Sequence, residues 1–181
     1  MKVDKTPIKD CFLITPEVYE DERGYFCETF HQEKFQAQTG IQTSFVQDNQ
    51  SQSTKGVLRG LHFQKAPHQQ AKLVRVVKGR VLDVVVDLRK DSPSFGQHYS
   101  AILDQENKQQ LYIPRGCAHG FITLSDSSIF AYKCDAFYNR EADSGIRYDD
   151  ATLGIDWRLP KDEMIISEKD QNLPYFDPTN F

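Results

Sequence analysis

The chain has 181 residues, 39% of them apolar and 27% charged, with a formal net charge of -4. That length carries one domain with a sizeable core, and the balance argues against a disordered chain. No basic stripe stands out to neutralise a polyphosphate backbone, so nucleic acid is not an expected partner. Nor is a membrane expected, because no run approaches the ~20 apolar residues needed to span one.

The opening MKVDKTPIKDCF lacks the apolar run of a signal peptide, which predicts a cytoplasmic protein. HQEKFQAQTG (31–40) reads as a helix with Gly40 as its stop. Strands are expected at 43–48 and 57–64. The second, VLRGLHFQ, sets His62 in an apolar, glycine-punctuated run three residues after Arg59. A histidine facing the core of a sheet is usually a hydrogen-bonded structural residue; one lining a cavity is often a base. Those residues alone leave both readings open.

AKLVRVV (71–77) and VLDVVVDL (81–88) read as strands joined by the turn Lys78-Gly79-Arg80, which predicts a hairpin. In the first, Lys72 shares a face with Val74 and Val76. It either reaches water from the strand end or points at a developing negative charge. In the second, Leu82, Val84, Val86 and Leu88 share one face, and Val81, Asp83, Val85 and Asp87 the other.

Further strands are expected at 98–103, 110–113, 119–124 and 128–137, separated by turn clusters such as Pro114-Arg115-Gly116. His119 sits among Gly116, Ala118 and Gly120, and taken alone reads as structural. If the last strand is unbroken, Phe130, Tyr132, Cys134, Ala136 and Tyr138 share one face, as core packing or as a pocket wall. From about residue 140, Asp, Pro and turn residues predict short helices and loops over the sheet. There SEKDQ (167–171), with Lys169 and Asp170, reads as a solvated turn.

Many short strands and one clear helix predict an all-β sandwich or barrel, a single domain over 1–181. The four cysteines form no C-x-x-C pair and read as free thiols in a reducing compartment. No two of the five histidines lie one or two residues apart, so the usual signal of a metal-binding barrel is missing and no metal is expected.

DERGYFCETF (21–30), FVQDNQSQS (45–53), VLRGLHFQ (57–64), the long run 69–96, LYIPRGCAHGF (111–121), YKCDAFY (132–138), LGIDW (153–157) and SEKD (167–170) occur in one order. Together they resemble the dTDP-4-dehydrorhamnose 3,5-epimerases, cofactor-free isomerases of sugar nucleotides. The resemblance implies a jelly-roll, cupin-like barrel that forms a homodimer with shared active sites and takes a dTDP-sugar, without cofactor or metal. It implies His62 as base, Asp170 as the carboxylate that orients it, Tyr132 as proton donor and Lys72 near the substrate ketone. Arg23, Glu28, Gln47, Asn49, Arg59, His119 and Lys169 match substrate-contacting positions, with Arg23 and Glu28 reaching into the partner's site. Tyr138 matches an aromatic lining the pocket. Asp143 stands where the family usually has a substrate-contacting glutamate, Ser144 where it has arginine, and Asp149-Asp150-Ala151 in place of a turn ending in proline. The implied activity is epimerisation at C3 and C5 of dTDP-4-dehydro-6-deoxy-D-glucose. Its rivals are a mono-epimerase of a related ketosugar and, further off, a metal-dependent sugar-binding cupin.

Overall fold

The computed structural model describes residues 1–181. In chain order it has β1 (Lys2–Lys5), β2 (Phe12–Thr15), β3 (Val18–Asp21), β4 (Gly24–Cys27), α1 (Gln32–Thr39), β5 (Gln47–Thr54) and β6 (Val57–Gln64). There follow β7 (Lys72–Lys78), β8 (Arg80–Asp87), β9 (His98–Asp104), β10 (Gln110–Ile113), β11 (Cys117–Thr123) and β12 (Ser127–Cys134). The C-terminal third adds β13 (Asp143–Gly145), β14 (Ile165–Ile166) and α2 (Glu168–Gln171). No helix is long and apolar enough to cross a membrane.

Two sheets make a jelly-roll barrel of the cupin-like kind. One runs β1-β2-β10-β7-β12-β5, the other β13-β6-β11-β8-β9 with β14 added in parallel to β6; β3 and β4 form a separate ribbon. Alternation places the core. Val81 and Val85 of β8 meet Val74, Val76 and Phe130 between the sheets. Leu82, Val84 and Val86 point the other way, under a cover of Ile146, Tyr148, Leu153, Trp157 and Phe176 from the C-terminal third. Both faces of β8 are thus buried, as its two expected faces require. The opposite sheet is covered by α1, whose Phe35 packs on Phe12, Leu73 and Tyr112. Gly40 ends α1 in the left-handed conformation, its N–H bonded to the Gln36 carbonyl.

Four sequence expectations are corrected. First, β7 and β8 are not a hairpin: β7 pairs with β10 and β12, β8 with β9 and β11. The turn at Gly79 carries the chain from one sheet to the other, so that Val76 and Val81 meet across the core instead of along a ladder. Second, the strand expected at 43–48 is the polar β5. Its backbone pairs with β12 while alternate side chains border a polar cavity, so it shows no apolar period; Phe45 instead packs edge-on against Phe30. Third, β12 stops at Cys134 because Asp135 turns to accept the Ala71 N–H at 2.7 Å and the Arg115 guanidinium at 2.8 Å. Ala136 and Tyr138 therefore leave the face that Phe130, Tyr132 and Cys134 share. Fourth, β1 to β4 were not anticipated; each is only four residues long and none carries a clean apolar alternation.

The feature that places the site is a bulge in β6. His119 of β11 pairs with His62, but Phe121 pairs with Arg59, so β6 spends one extra residue. Parity flips across the bulge. Leu58 and Leu61 both enter the outer cluster, and Arg59 and His62 both face inward. In a regular strand His62 would share the side of Leu58. Glycine is needed where the strands close up: Gly60 has φ 127°, and a Cβ there would lie 2.5 Å from Gly120 Cα. A Cβ on Gly120 would lie 2.8 Å from the Arg59 carbonyl oxygen.

The N-terminal segment is tied to the barrel through Asp87, which is fully buried. Its carboxylate accepts from Arg89 Nε at 2.8 Å and from the Ser92 and Ser94 hydroxyls at 2.5 and 2.6 Å. Arg89 in turn donates to the Lys9 carbonyl at 2.7 Å. Burial alone would raise the Asp87 pKa, but Arg89 and the two serines outweigh it and lower it to about 2.

Two outcomes follow. Gly120→Ala forces the β6 and β11 backbones apart and should cost ~1–3 kcal/mol, read as a lower denaturant midpoint. Asp87 has a depressed folded pKa, so its contribution is present above the unfolded value of about 3.9 and is lost as pH falls towards 2. Asp87→Asn should therefore cost about 2 kcal/mol or more at pH 7, and the gap to wild type should close in urea titrations between pH 4 and pH 2.

Candidate active site

A cavity of about 630 Å³ opens between the two sheets. His62 and Arg59 enter it from β6, Lys72 from the start of β7, His119 from β11, Tyr132 from β12 and Asn49 from β5, while Lys169 and Asp170 come from α2. A recess of about 220 Å³ shares His62, Lys72, Asn49, Tyr132 and Lys169 with it and adds Gln47, Tyr138 and Asp143. Eleven of the thirteen expected site residues therefore converge. The other two, Arg23 and Glu28, lie outside this chain's own cavity, on or next to the exposed β3–β4 ribbon. There Arg23 pairs with Asp21 and Glu28 with Lys34, the latter at 2.8 Å.

His62 Nε2 lies 2.7 Å from Asp170 Oδ1, and the other oxygen of that carboxylate accepts the Gly60 N–H at 3.2 Å. Asp170 is 3% exposed, so what looked like a solvated turn is a buried anchor. Burial would raise its pKa; the hydrogen bond and charge of His62, with the Gly60 N–H, bring it below the ordinary carboxylate value. Because a carboxylate only accepts, Nε2 of His62 carries the proton and Nδ1 is left with the basic lone pair.

The helix that delivers Asp170 is a single turn held from both ends. At its start the Ser167 hydroxyl accepts the Asp170 N–H. At its end Arg147 donates to the Gln171 carbonyl at 2.7 Å while gripping Asp149 with Nε and Nη2. The run Ile165-Ile166 adds to β6 in parallel just before it.

Lys72 shares its strand face with Val74 and Val76 and lies 5.8 Å from the centre of the Tyr132 ring. Burial lowers its pKa and raises that of Tyr132. Each shift weighs against the charged form of its group, and an anion formed beside Lys72 would offset it for the ammonium. Behind them His119 gives Nε2 to Asp83 Oδ2 at 2.8 Å and stacks on Phe130. Asp83 was not among the expected site residues. It is fully buried, and its Oδ1 has no partner. The signal was present: an aspartate sharing a face with Val81 and Val85 has to meet something polar inside.

The arrangement pairs an oriented imidazole with a phenol, an ammonium and a second histidine around one cavity. Such a set can take a proton from a carbon acid, hold the resulting oxyanion and deliver a proton. No group of three or more His, Cys, Asp and Glu side chains is placed to hold a metal ion.

Comparison with known proteins agrees with the geometry. A family model described as dTDP-4-dehydrorhamnose 3,5-epimerase matches residues 5–178. A dTDP-4-dehydrorhamnose 3,5-epimerase of Methanothermobacter thermautotrophicus is 53% identical over 169 residues, covering 93% of this chain and 90% of that protein. The crystal structure of the enzyme of that name from Elizabethkingia anophelis is 55% identical and superimposes with a TM-score of 0.96, over 100% of this chain and 99% of the other. A dTDP-6-deoxy-D-glucose-3,5-epimerase of Legionella pneumophila, crystallised with dTDP-4-keto-L-rhamnose, is 44% identical with a TM-score of 0.90, over 97% and 98%.

Proposed function

The chain belongs to the dTDP-4-dehydrorhamnose 3,5-epimerase family, and on that premise we propose how its cavity carries out the reaction. The protein is an isomerase. It converts dTDP-4-dehydro-6-deoxy-D-glucose to dTDP-4-dehydro-L-rhamnose by inverting C3 and C5.

Both carbons flank one ketone, so one base, one oxyanion site and one donor serve twice, once His62 has given its proton up to solvent and Tyr132 has taken one back between the two inversions. His62 Nδ1 removes the proton next to the ketone. Asp170, 2.7 Å from the far nitrogen, holds the tautomer and stabilises the imidazolium. The electron pair moves onto the ketone oxygen, where the Lys72 ammonium receives it, with His119 held beside the cavity by Asp83; one such donor contributes about 3–4 kcal/mol in comparable sites. Tyr132 then protonates the opposite face of the carbon. Burial keeps the phenol protonated until the enolate arrives. The substrate's own ketone is the electron sink, so this route calls on no cofactor. The observation that supports it most directly is the His62–Asp170 contact inside the cavity that also holds Lys72 and Tyr132.

Arg59 and Lys169 supply charge for the diphosphate, and Gln47, Asn49 and Tyr138 line the path of the nucleotide. Arg23 and Glu28 serve the partner's cavity in a homodimer. That reading fits the exposed ribbon that carries Arg23, where Tyr19, Tyr25 and Phe26 are all more than half exposed. The four unpaired cysteines fit work in the reducing cytoplasm.

Tyr132→Phe separates proton removal from inversion. NMR in deuterated water should show label entering the substrate next to the ketone while inverted product falls about 10²–10⁴-fold. Lys72→Met should lose exchange and inversion together. Inversion at the wild-type rate by Tyr132→Phe would remove Tyr132 from the role of donor.

Shared sites have their own check. Arg23→Ala and His62→Ala chains, each nearly inactive alone, should regain part of the activity when mixed and exchanged, because one hybrid site is then whole. Proven exchange without recovery would count against the partner role of Arg23.

A further inference from the structure

Three segments meet at the mouth of the recess beside His62. Lys169 of α2 places Nζ 2.5 Å from Asp143 Oδ2, and the Tyr138 hydroxyl donates to the same oxygen at 3.2 Å. Asp143 is the cross-strand neighbour of Gln64 on β6, two residues from His62. Its side chain is 18% exposed and that of Lys169 57%, so the pair faces the approach to the cavity. The carboxylate's bond raises the Lys169 pKa, which marks Asp143 as the present holder of that charge. The ammonium adjoining Asp170 is therefore neutralised from within the chain, and an incoming diphosphate finds it occupied.

We propose that Asp143 sets affinity for the nucleotide by exchange: its carboxylate holds Lys169 in the empty enzyme and gives it up to the diphosphate of the sugar nucleotide. This rests on the epimerase reading above and goes beyond it, because the family position implies only that Asp143 lies near the substrate and says nothing of its hold on Lys169. The physical ground is that the carboxylate already offsets much of the ammonium's charge and repels a second anion, so the diphosphate gains most once the internal pair opens. Tyr138, bound to the same oxygen, is released in the same step. Substrate and product carry the same diphosphate, so the exchange weakens both equally and favours turnover over retention.

The test is calorimetric titration of dTDP into the full-length protein and three variants. Asp143→Asn keeps the shape of the side chain and removes its charge. It should tighten dTDP binding about fivefold, the scale of a partly exposed ion pair no longer in competition. Lys169→Met should weaken binding, and adding Asp143→Asn to Lys169→Met should recover little. Asp143→Asn binding dTDP more weakly than wild type, or equally, would overturn the proposal and make the carboxylate a direct ligand or a bystander. An equal gain with and without Lys169 would also overturn it, leaving only general repulsion. Wild type that fails to bind dTDP at all would instead bring down the epimerase reading itself.

Discussion

Asp170 bridges a bulge. One of its oxygens takes the N–H of Gly60, inside the extra residue of β6, and the other meets the imidazole of His62 beyond it. The bulge turns Arg59 and His62 to the same side, and the carboxylate fixes the ring once it is there. Without the slip of one residue, a base on β6 would face Tyr148 and Trp157 in the outer cluster. Without the carboxylate, an inward imidazole would have no fixed tautomer. Strand register and side-chain chemistry are thus one constraint, and the close contact of Gly60 with Gly120 is what the two backbones require to accommodate it.

That constraint explains the shape of the C-terminal third. This part of the chain has little regular structure, yet it covers the outer face of the second sheet over Leu82, Val84 and Val86. It then has to turn back over the rim to deliver one aspartate. The short addition of β14 to β6, the Ser167 cap and the Arg147 grip on Gln171 are three independent attachments on either side of that residue. A helix of one turn has little stability of its own; here its position comes from these neighbours.

The sequence was legible where periodicity or resemblance carried the signal. The two faces of 81–88, the bounds of 57–64 and 110–113, and the helix closed by Gly40 could be read from apolar spacing and a glycine stop. His62 and Lys72 stood out locally, but the joint roles of His62, Lys72, Tyr132 and Asp170 could be assigned only through resemblance, because they come from three strands and a distant turn that no local pattern connects. Other features were hidden for physical reasons. The polar β5 is a strand by backbone pairing alone. The turn at Gly79 has hairpin chemistry but separates two sheets, since tertiary packing decides which strand each side finds. Asp83 was visible as an oddity on an apolar face, but its partner His119 lies thirty-six residues away. The Asp143–Lys169 pair joins segments twenty-six residues apart and depends on α2 folding back.

The outer cover holds the chain's single tryptophan. Trp157 is 4% exposed and donates its indole N–H to the Tyr148 carbonyl at 2.8 Å. It sits thirteen residues before Asp170 in the same C-terminal cover, and it lines neither the cavity nor the recess. Its emission wavelength therefore reports, without any ligand, whether the cover is seated. In a chain with no second indole to confuse the signal, the packing of this cover has a built-in optical gauge, distinct from turnover and from nucleotide binding.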